Sequence, residues 1–107
     1  MDVRQQLLQT WVQKTLVDLN LPSAQGSLSV VSGDASFRRY FRQAVNGTSY
    51  IAVDAPPEKE DSHSFVDVAR SWFVQGVAVP EVLKADFEQG FMLLSDMGDQ
   101  LLLPLLN

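Results

Sequence analysis

Near its N-terminus the chain repeats apolar residues at intervals of three and four, which predicts an amphipathic helix over residues 3–20. The predicted apolar stripe consists of Leu7, Leu8, Trp11, Val12, Leu16 and Leu19. We expect Asp2 to cap the start of this helix. The sequence Asn20-Leu21-Pro22 should end it, because a residue that precedes proline is disfavoured in helical geometry. A polar linker is predicted over residues 23–27.

The pattern then changes to the shorter repeats of β-strands, with predicted strands over residues 28–32, 37–45 and 48–53. Asn46-Gly47 separates the second strand from the third, and this pair favours the positive φ angles of a two-residue hairpin turn. Pro56-Pro57 should end the third strand, since proline cannot donate to a sheet.

A second helix is predicted over residues 63–75 and should end at Gly76. Its apolar residues, which we expect in the core, are Phe65, Val68, Ala69, Trp72 and Phe73. Strands are predicted at Val82–Asp86 and Phe91–Ser95, joined by a turn through Gln89-Gly90. This order favours an α+β fold, a five-stranded antiparallel sheet with two principal helices packed to one side.

Composition narrows the classes of function. The chain has 107 residues, 46% of them hydrophobic and 20% charged, which is typical of a globular domain. The absence of cysteine excludes disulfides and thiolate metal sites, and the presence of a single histidine, His63, disfavours a zinc site. A net charge of −5 disfavours nucleic-acid binding. Without a long apolar run or a secretory leader, we expect a cytoplasmic protein that binds no membrane.

A basic spot, formed by Arg38, Arg39 and Arg42, directly follows a turn of small residues at positions 32–36. Backbone N–H groups of such a turn can approach phosphate oxygens, with arginines as the counter-charge. Because the turn leads into a strand and not into a helix, it favours the β-turn-β phosphate cover that kinases use. A plain turn beside a solvated strand face is the alternative.

Four segments, at residues 32–42, 54–61, 76–81 and 90–99, resemble in register the aminoglycoside phosphotransferase group of kinase-like enzymes. The resemblance spans roughly residues 28–100. It is greatest to the bacterial cell-wall amino-sugar kinases, which phosphorylate the anomeric hydroxyl of N-acetylmuramate and N-acetylglucosamine. The resemblance implies a protein-kinase-like N-terminal lobe that binds ATP.

The resemblance also implies a division of the chain and a set of site residues. Residues 1–27 would be an N-terminal helix and linker, 28–95 the nucleotide-binding lobe, and 96–107 the hinge and the start of a C-terminal lobe. The phosphate-covering loop and the cations after it would comprise Ser32, Gly33, Asp34, Ala35, Ser36, Phe37, Arg38 and Arg39. The hinge that binds adenine would comprise Leu94, Ser95, Asp96 and Met97.

Two departures from the kinase pattern matter. The third strand ends in Asp54, where a typical kinase has a phosphate-binding lysine, so Arg38, Arg39 or Arg42 would have to replace it, with Asp54 orienting one of them. The group's catalytic His-x-Asp loop and metal ligands belong to a C-terminal lobe that this sequence lacks. We therefore expect no catalytic or metal-binding residue in this chain, and Mg²⁺ bound mainly by the other lobe.

The sequence thus predicts the ATP-binding lobe of a kinase that transfers the γ-phosphate to a hydroxyl of an amino sugar in cell-wall recycling. The alternative is a non-catalytic module that associates with itself through the leucine-rich segment Leu101–Leu106. A divalent-ion site at Asp54, Glu58, Glu60 and Asp61 is less favoured than a solvated loop. Tyr40 and Phe41 could stack on single-stranded nucleic acid, but the negative charge of the chain disfavours it.

Overall fold

The computed structural model describes residues 3–33, 39–58, 62–76 and 80–96. Its elements are α1 (Val3–Asp18), β1 (Gln25–Gly33), β2 (Arg39–Val45), β3 (Thr48–Asp54), α2 (Ser62–Val74), β4 (Val82–Asp86) and β5 (Phe91–Ser95). The five strands form one sheet in the order β1-β2-β3-β5-β4, and every neighbouring pair is antiparallel. The predicted α+β class, strand number and order of elements are confirmed, whereas Asp2 and Leu101–Leu106 lie outside the described residues.

The local stop and turn signals act as the sequence predicts. Asn46 and Gly47 both have positive φ, 33° and 84°, and Val45 pairs with Thr48 across the hairpin. At the end of α1, Asn20 has a φ of 59°; its N–H bonds the Val17 carbonyl, and the Leu21 N–H bonds the Leu16 carbonyl. This is a Schellman motif, so a left-handed asparagine ends α1 just before the proline.

The two helices pack on opposite faces of the sheet, which corrects the prediction that both lie on one side. Alternation along the strands produces two apolar faces, each of which needs a cover. On the α1 face, Leu8, Val12 and Leu16 pack against sheet residues that include Phe41 and Leu93. On the α2 face, one core cluster joins Phe65, Val66 and Ala69 of the helix with these sheet residues: Tyr40, Ile51, Val53, Val82, Met92 and Leu94.

Both predicted helical stripes need correction. The buried positions of α1 are Leu8, Val12, Thr15 and Leu16, while Leu7 is 47% exposed. The buried residues of α2, Phe65, Val66 and Ala69, lie in its first two turns. Trp72 and Phe73, expected in the core, follow these turns and are 40% and 46% exposed.

β1 begins earlier than predicted, inside the expected linker. Gln43, fully buried on β2, donates from Nε2 to the carbonyls of Gln25 and Gly26 at 3.3 and 3.2 Å. These bonds hold the first residues of β1 beside β2, although the pairing register shifts between Gln25 and Ser29. A buried amide that binds two carbonyls of β1 therefore extends the strand into Gln25 and Gly26, where a polar linker was predicted.

The β4–β5 turn is pressed against the chain that follows β3. The Ala55 N–H donates to the Gly90 carbonyl at 2.7 Å. Gly90 has a φ of 80°, and a Cβ there would collide with the Ala55 carbonyl oxygen. Only glycine satisfies both conditions, the left-handed conformation and the close approach of two backbones.

Candidate functional site

The predicted site residues fall at two ends of the sheet. Ser32 and Gly33 end β1, and Gly33 pairs with Arg39 at the start of β2, so the phosphate-covering loop would begin and end at this pair. At the other end, Leu94 and Ser95 end β5, and Asp96 follows. The remaining predicted residues lie outside the described part of the chain: Asp34, Ala35, Ser36, Phe37, Arg38 and Met97.

Beside the predicted loop, two arginines converge on one buried aspartate. Arg39 donates to Asp54 Oδ2 from Nε at 3.1 Å and from Nη2 at 2.6 Å. From α1, Arg4 donates to Asp54 Oδ1 from Nε at 2.7 Å, and its Nη2 lies 2.6 Å from the same oxygen. We call Arg4, Arg39 and Asp54 the loop-end cluster. It carries one net positive charge.

The members of the loop-end cluster differ in exposure. The Asp54 side chain is 1% exposed, whereas each arginine side chain is 34% exposed. Arg4 also donates to the Gln89 carbonyl at 2.6 Å, so it ties α1 both to β3 and to the β4–β5 turn. The Arg39 guanidinium lies over Phe41. Asp54 therefore orients Arg39, in agreement with the hypothesis that Asp54 holds one of the arginines. A contact between Arg39 and phosphate stays a prediction.

Sequence reasoning missed Arg4, which lies fifty residues from Asp54 along the chain. One weak signal was present: a cation in the first turn of a helix is disfavoured by the helix dipole. Such a residue needs a carboxylate partner from elsewhere in the fold, and Asp54 supplies it.

A second cluster lies at the opposite end of the sheet. Arg42 donates from Nε to Asp96 Oδ2 at 2.6 Å and from Nη2 to Oδ1 at 3.4 Å. The Ser49 hydroxyl also donates to Asp96 Oδ2, at 2.6 Å. We call Arg42, Ser49 and Asp96 the hinge-end cluster. Arg42, a sequence candidate for phosphate binding, is thus bound to Asp96, a residue of the predicted hinge.

Two residues of the predicted hinge, Leu94 and Ser95, are held by the sheet. The Leu94 side chain is fully buried in the core on the α2 face. The Ser95 N–H donates to the Glu81 carbonyl at 2.9 Å, and Ser95 Oγ accepts from the Glu81 N–H at 2.8 Å. These bonds fix the end of β5 beside the start of β4, so any backbone contact to adenine would have to use other groups.

The two clusters lie on opposite faces because Arg39 and Arg42 are three residues apart on β2. Arg39 and Asp54 lie on the α1 face, whereas Arg42, Ser49 and Asp96 lie on the α2 face. The β3 residues that face α2 include Ile51 and Val53, both apolar. The sheet therefore offers no cation on β3 to take the place of the kinase lysine.

Other sequence candidates have plain structural roles. His63 is exposed at the start of α2, and its ring stacks on Phe87 at 3.7 Å. In the acidic segment, Asp54 pairs with arginines, whereas Glu60 and Asp61 lie outside the described residues, which hold no group of three or more side chains suited to a metal ion. A cavity of about 700 Å³ lies between α1 and the β4–β5 turn, and it includes none of the predicted site residues.

Hydrogen bonds explain the shifted pKa of Asp86, the last residue of β4 before the β4–β5 turn. Burial alone would raise the pKa of Asp86. The Gln89 side chain at 2.7 Å, the N–H groups of Gln89 and Glu88, and the nearby charge of Lys84 outweigh it and hold the pKa of Asp86 below its usual value. The ionised carboxylate thereby stabilises the turn whose Gln89 carbonyl binds Arg4.

Curated proteins from three bacteria are similar in sequence to this chain. A protein of Pseudomonas putida named N-acetylmuramate/N-acetylglucosamine kinase is 41% identical over 111 residues, which cover 99% of this chain and 33% of that protein. Its namesake in Pseudomonas aeruginosa is 42% identical with the same coverage. Another of this name, from Neisseria meningitidis serogroup B, is 36% identical over 90% of this chain and 27% of its own length.

These relatives are sugar kinases by name, and the chain is homologous to part of them. It spans about a third of the length of the curated relatives it matches. No protein-family model matches the chain, and no solved structure matches it. Within the described residues, no helix is both long and apolar enough to cross a membrane.

Proposed function

We propose that this chain is the nucleotide-binding lobe of an ATP-dependent kinase that phosphorylates N-acetylmuramate or N-acetylglucosamine. The observation that carries the proposal is the 41–42% identity, over 99% of the chain, to two proteins named as kinases of these sugars. The order of three strands, a helix and two strands agrees with what the resemblance to aminoglycoside phosphotransferases implies. Such an activity would serve cell-wall sugar recycling in the cytoplasm.

The dimensions of the sheet support a nucleotide that extends from one end to the other. Ser49 of the hinge-end cluster and Asp54 of the loop-end cluster are five residues apart on β3. Their backbones are therefore separated by about 17 Å along the strand. An extended nucleoside triphosphate can bridge such a distance, with adenine near Ser95 and Asp96 and the phosphates near the Gly33–Arg39 pair. The loop at positions 34–38 would cover the phosphates.

Charge also fits this orientation. The loop-end cluster has one net positive charge at the end of the sheet, and a third of the Arg39 side chain is exposed there. Arg39 would supply a counter-charge to the triphosphate, held in place by Asp54. When bound, Mg²⁺ would neutralise phosphate charge during transfer. We propose that its ligands and the catalytic base come from a C-terminal lobe, as in the group that the chain resembles.

A chimera tests the proposal. The matching third of the Pseudomonas putida kinase would be replaced with this chain, and ATP-dependent phosphorylation of both amino sugars measured. We expect a folded chimera with activity toward at least one of them. The control is the same chimera with Gly90→Ala, which should be less stable, because a Cβ there would collide with the Ala55 carbonyl oxygen. A folded chimera that binds sugar but transfers no phosphate would refute the proposal.

A further inference from the structure

We propose that Arg42 is a positioning residue for the adenine end of the nucleotide site, and that it acts through Asp96 and not by binding phosphate. The inference rests on the proposed nucleotide-binding function and deepens it, since it names the side chains that set the geometry of the hinge. From the sequence, Arg42 was one of three arginines that could replace the missing lysine.

The geometry of the hinge-end cluster is that of a clamp. Two nitrogens of the Arg42 guanidinium meet the two oxygens of the Asp96 carboxylate, at 2.6 and 3.4 Å. Such paired contacts fix the relative orientation of the two planar groups. The Ser49 hydroxyl, 2.6 Å from Oδ2, adds a third contact from β3. The Asp96 side chain is only 9% exposed, so water competes weakly for these bonds.

The direction of the Arg42 side chain separates it from the predicted phosphate loop. In the sheet, the backbone of Arg42 lies opposite Ile51. The carboxylate that Arg42 binds belongs to Asp96, which follows Ser95, and Ser95 lies opposite Tyr50, one residue further along β3 from the predicted loop. The Arg42 side chain therefore extends away from the Gly33–Arg39 pair. It also lies on the face opposite to Arg39.

The consequence concerns the residue at which the chain leaves the sheet. Asp96 lies one position beyond β5, directly after the residue whose N–H is bound by Glu81. The clamp from β2 and β3 sets the direction of the backbone at this point. A hinge that is already ordered before adenine arrives pays less entropy on binding. Loosening the clamp should weaken the adenine contact and leave the phosphate contact intact.

The test separates the two halves of the ligand. The 107-residue chain would be titrated with adenosine and, separately, with inorganic tripolyphosphate, using NMR shifts to detect weak binding. Arg42→Lys and Asp96→Asn should each weaken adenosine binding by about tenfold, the equivalent of one charge-assisted hydrogen bond. Ser49→Ala should weaken it less. Tripolyphosphate binding should not change, because the Ser49 end of the clamp lies about 17 Å along β3 from the partner of Arg39, beyond a Debye length of about 8–10 Å.

Additional measurements distinguish positioning from general damage. The double variant Arg42→Lys/Asp96→Asn should lose no more adenosine affinity than either single variant, since both remove the same clamp. Arg70→Lys, a change at an exposed arginine on α2, is the matched control and should bind both ligands normally. Thermal unfolding of each variant identifies any that fail to fold, and Ser49→Ala, the mildest change, then carries the test.

Three results would overturn the inference about Arg42. A selective loss of tripolyphosphate binding in Arg42→Lys would overturn the inference and make Arg42 a phosphate ligand. Unchanged adenosine binding in folded Arg42→Lys and Ser49→Ala would overturn it as well, while leaving the proposed function in place. If the unaltered chain bound neither adenosine nor tripolyphosphate, the proposed function would fail, and this inference with it.

Discussion

The loop-end and hinge-end clusters use the same chemistry for different purposes. Each holds an aspartate with an arginine from β2, but Asp54 is 1% exposed with a second arginine from α1, whereas Asp96 is 9% exposed and receives a serine hydroxyl. The first cluster joins a helix and a turn to the sheet and retains a net positive charge. The second is neutral and fixes the exit of the chain from β5. The two arginine–aspartate pairs therefore have different roles, because they join different elements of the fold.

The comparison also shows how one basic segment is divided by a strand. Arg39 and Arg42 read as a single patch in the sequence, yet they lie on opposite faces and their carboxylate partners stand at opposite ends of the sheet. Of these two arginines, Arg39 is the one beside the predicted phosphate loop.

Gly90→Ala should damage the loop end most. The added Cβ would collide with the Ala55 carbonyl oxygen, and the residue would keep a positive φ, so we expect a loss of about 3 kcal/mol in the free energy of unfolding. Urea denaturation measures it. Gly47→Ala is the matched control at the hinge end, with a φ of 84° but open space around it, and should cost about 1 kcal/mol. Equal losses would contradict the close packing at Gly90.

Removing the two aspartates should have unequal effects. Asp54→Ala leaves two arginines without their shared carboxylate, and because both can turn toward water we expect a loss of about 2 kcal/mol in stability. Asp96→Ala frees one arginine and one serine and should cost about 1 kcal/mol. Urea denaturation of both variants compares them. A larger loss of stability for Asp96→Ala than for Asp54→Ala would show that the hinge-end cluster, and not the loop-end cluster, contributes more to stability.

Arg4 and Arg39 should separate stability from ligand binding. Arg4→Gln should lower stability by about 1 kcal/mol, because α1 loses its bonds to Asp54 and Gln89, and it should not weaken tripolyphosphate binding. Arg39→Gln should weaken tripolyphosphate binding by about tenfold, the value of one charged contact. Calorimetric titration and urea denaturation give the two quantities. If only Arg4→Gln reduced tripolyphosphate binding, the phosphate would meet α1 and not the β1–β2 loop.

The smallest expected effect is a pH dependence at the β4–β5 turn. The folded pKa of Asp86 is lowered from its ordinary 3.8, so its ionised form adds stability that is present above this value and is lost as the pH falls through the folded pKa. Asp86→Asn should therefore be less stable than the unaltered chain at pH 7, and the difference should shrink below pH 3.8. Thermal unfolding at both pH values checks it. A constant difference would rule out a contribution from ionised Asp86.

Local features of this fold could be predicted from sequence, while the clusters could not. The Asn46-Gly47 turn, the Gly76 stop and the bounds of β4 and β5 depend on neighbouring residues alone, and the structure confirms them. The face and partner of an arginine depend on register and on distant segments. Arg4 meets Asp54 across fifty residues, and Arg42 meets Asp96 across fifty-four. Similarly, the spacing of Trp72 and Phe73 predicts a helix but cannot show where the contact with the sheet ends.

The most direct test of the account is an NMR titration of the ¹⁵N-labelled chain with ATP and Mg²⁺. We predict that amide signals shift in two separate groups, one at Ser32, Gly33 and Arg39 and the other at Leu94 to Asp96, whose positions lie about 10 to 17 Å from that of Arg39 along the strands. Adenosine alone should shift only the second group. Shifts confined to the cavity between α1 and the β4–β5 turn, or the absence of any shift at saturating ATP, would contradict a nucleotide that spans the sheet.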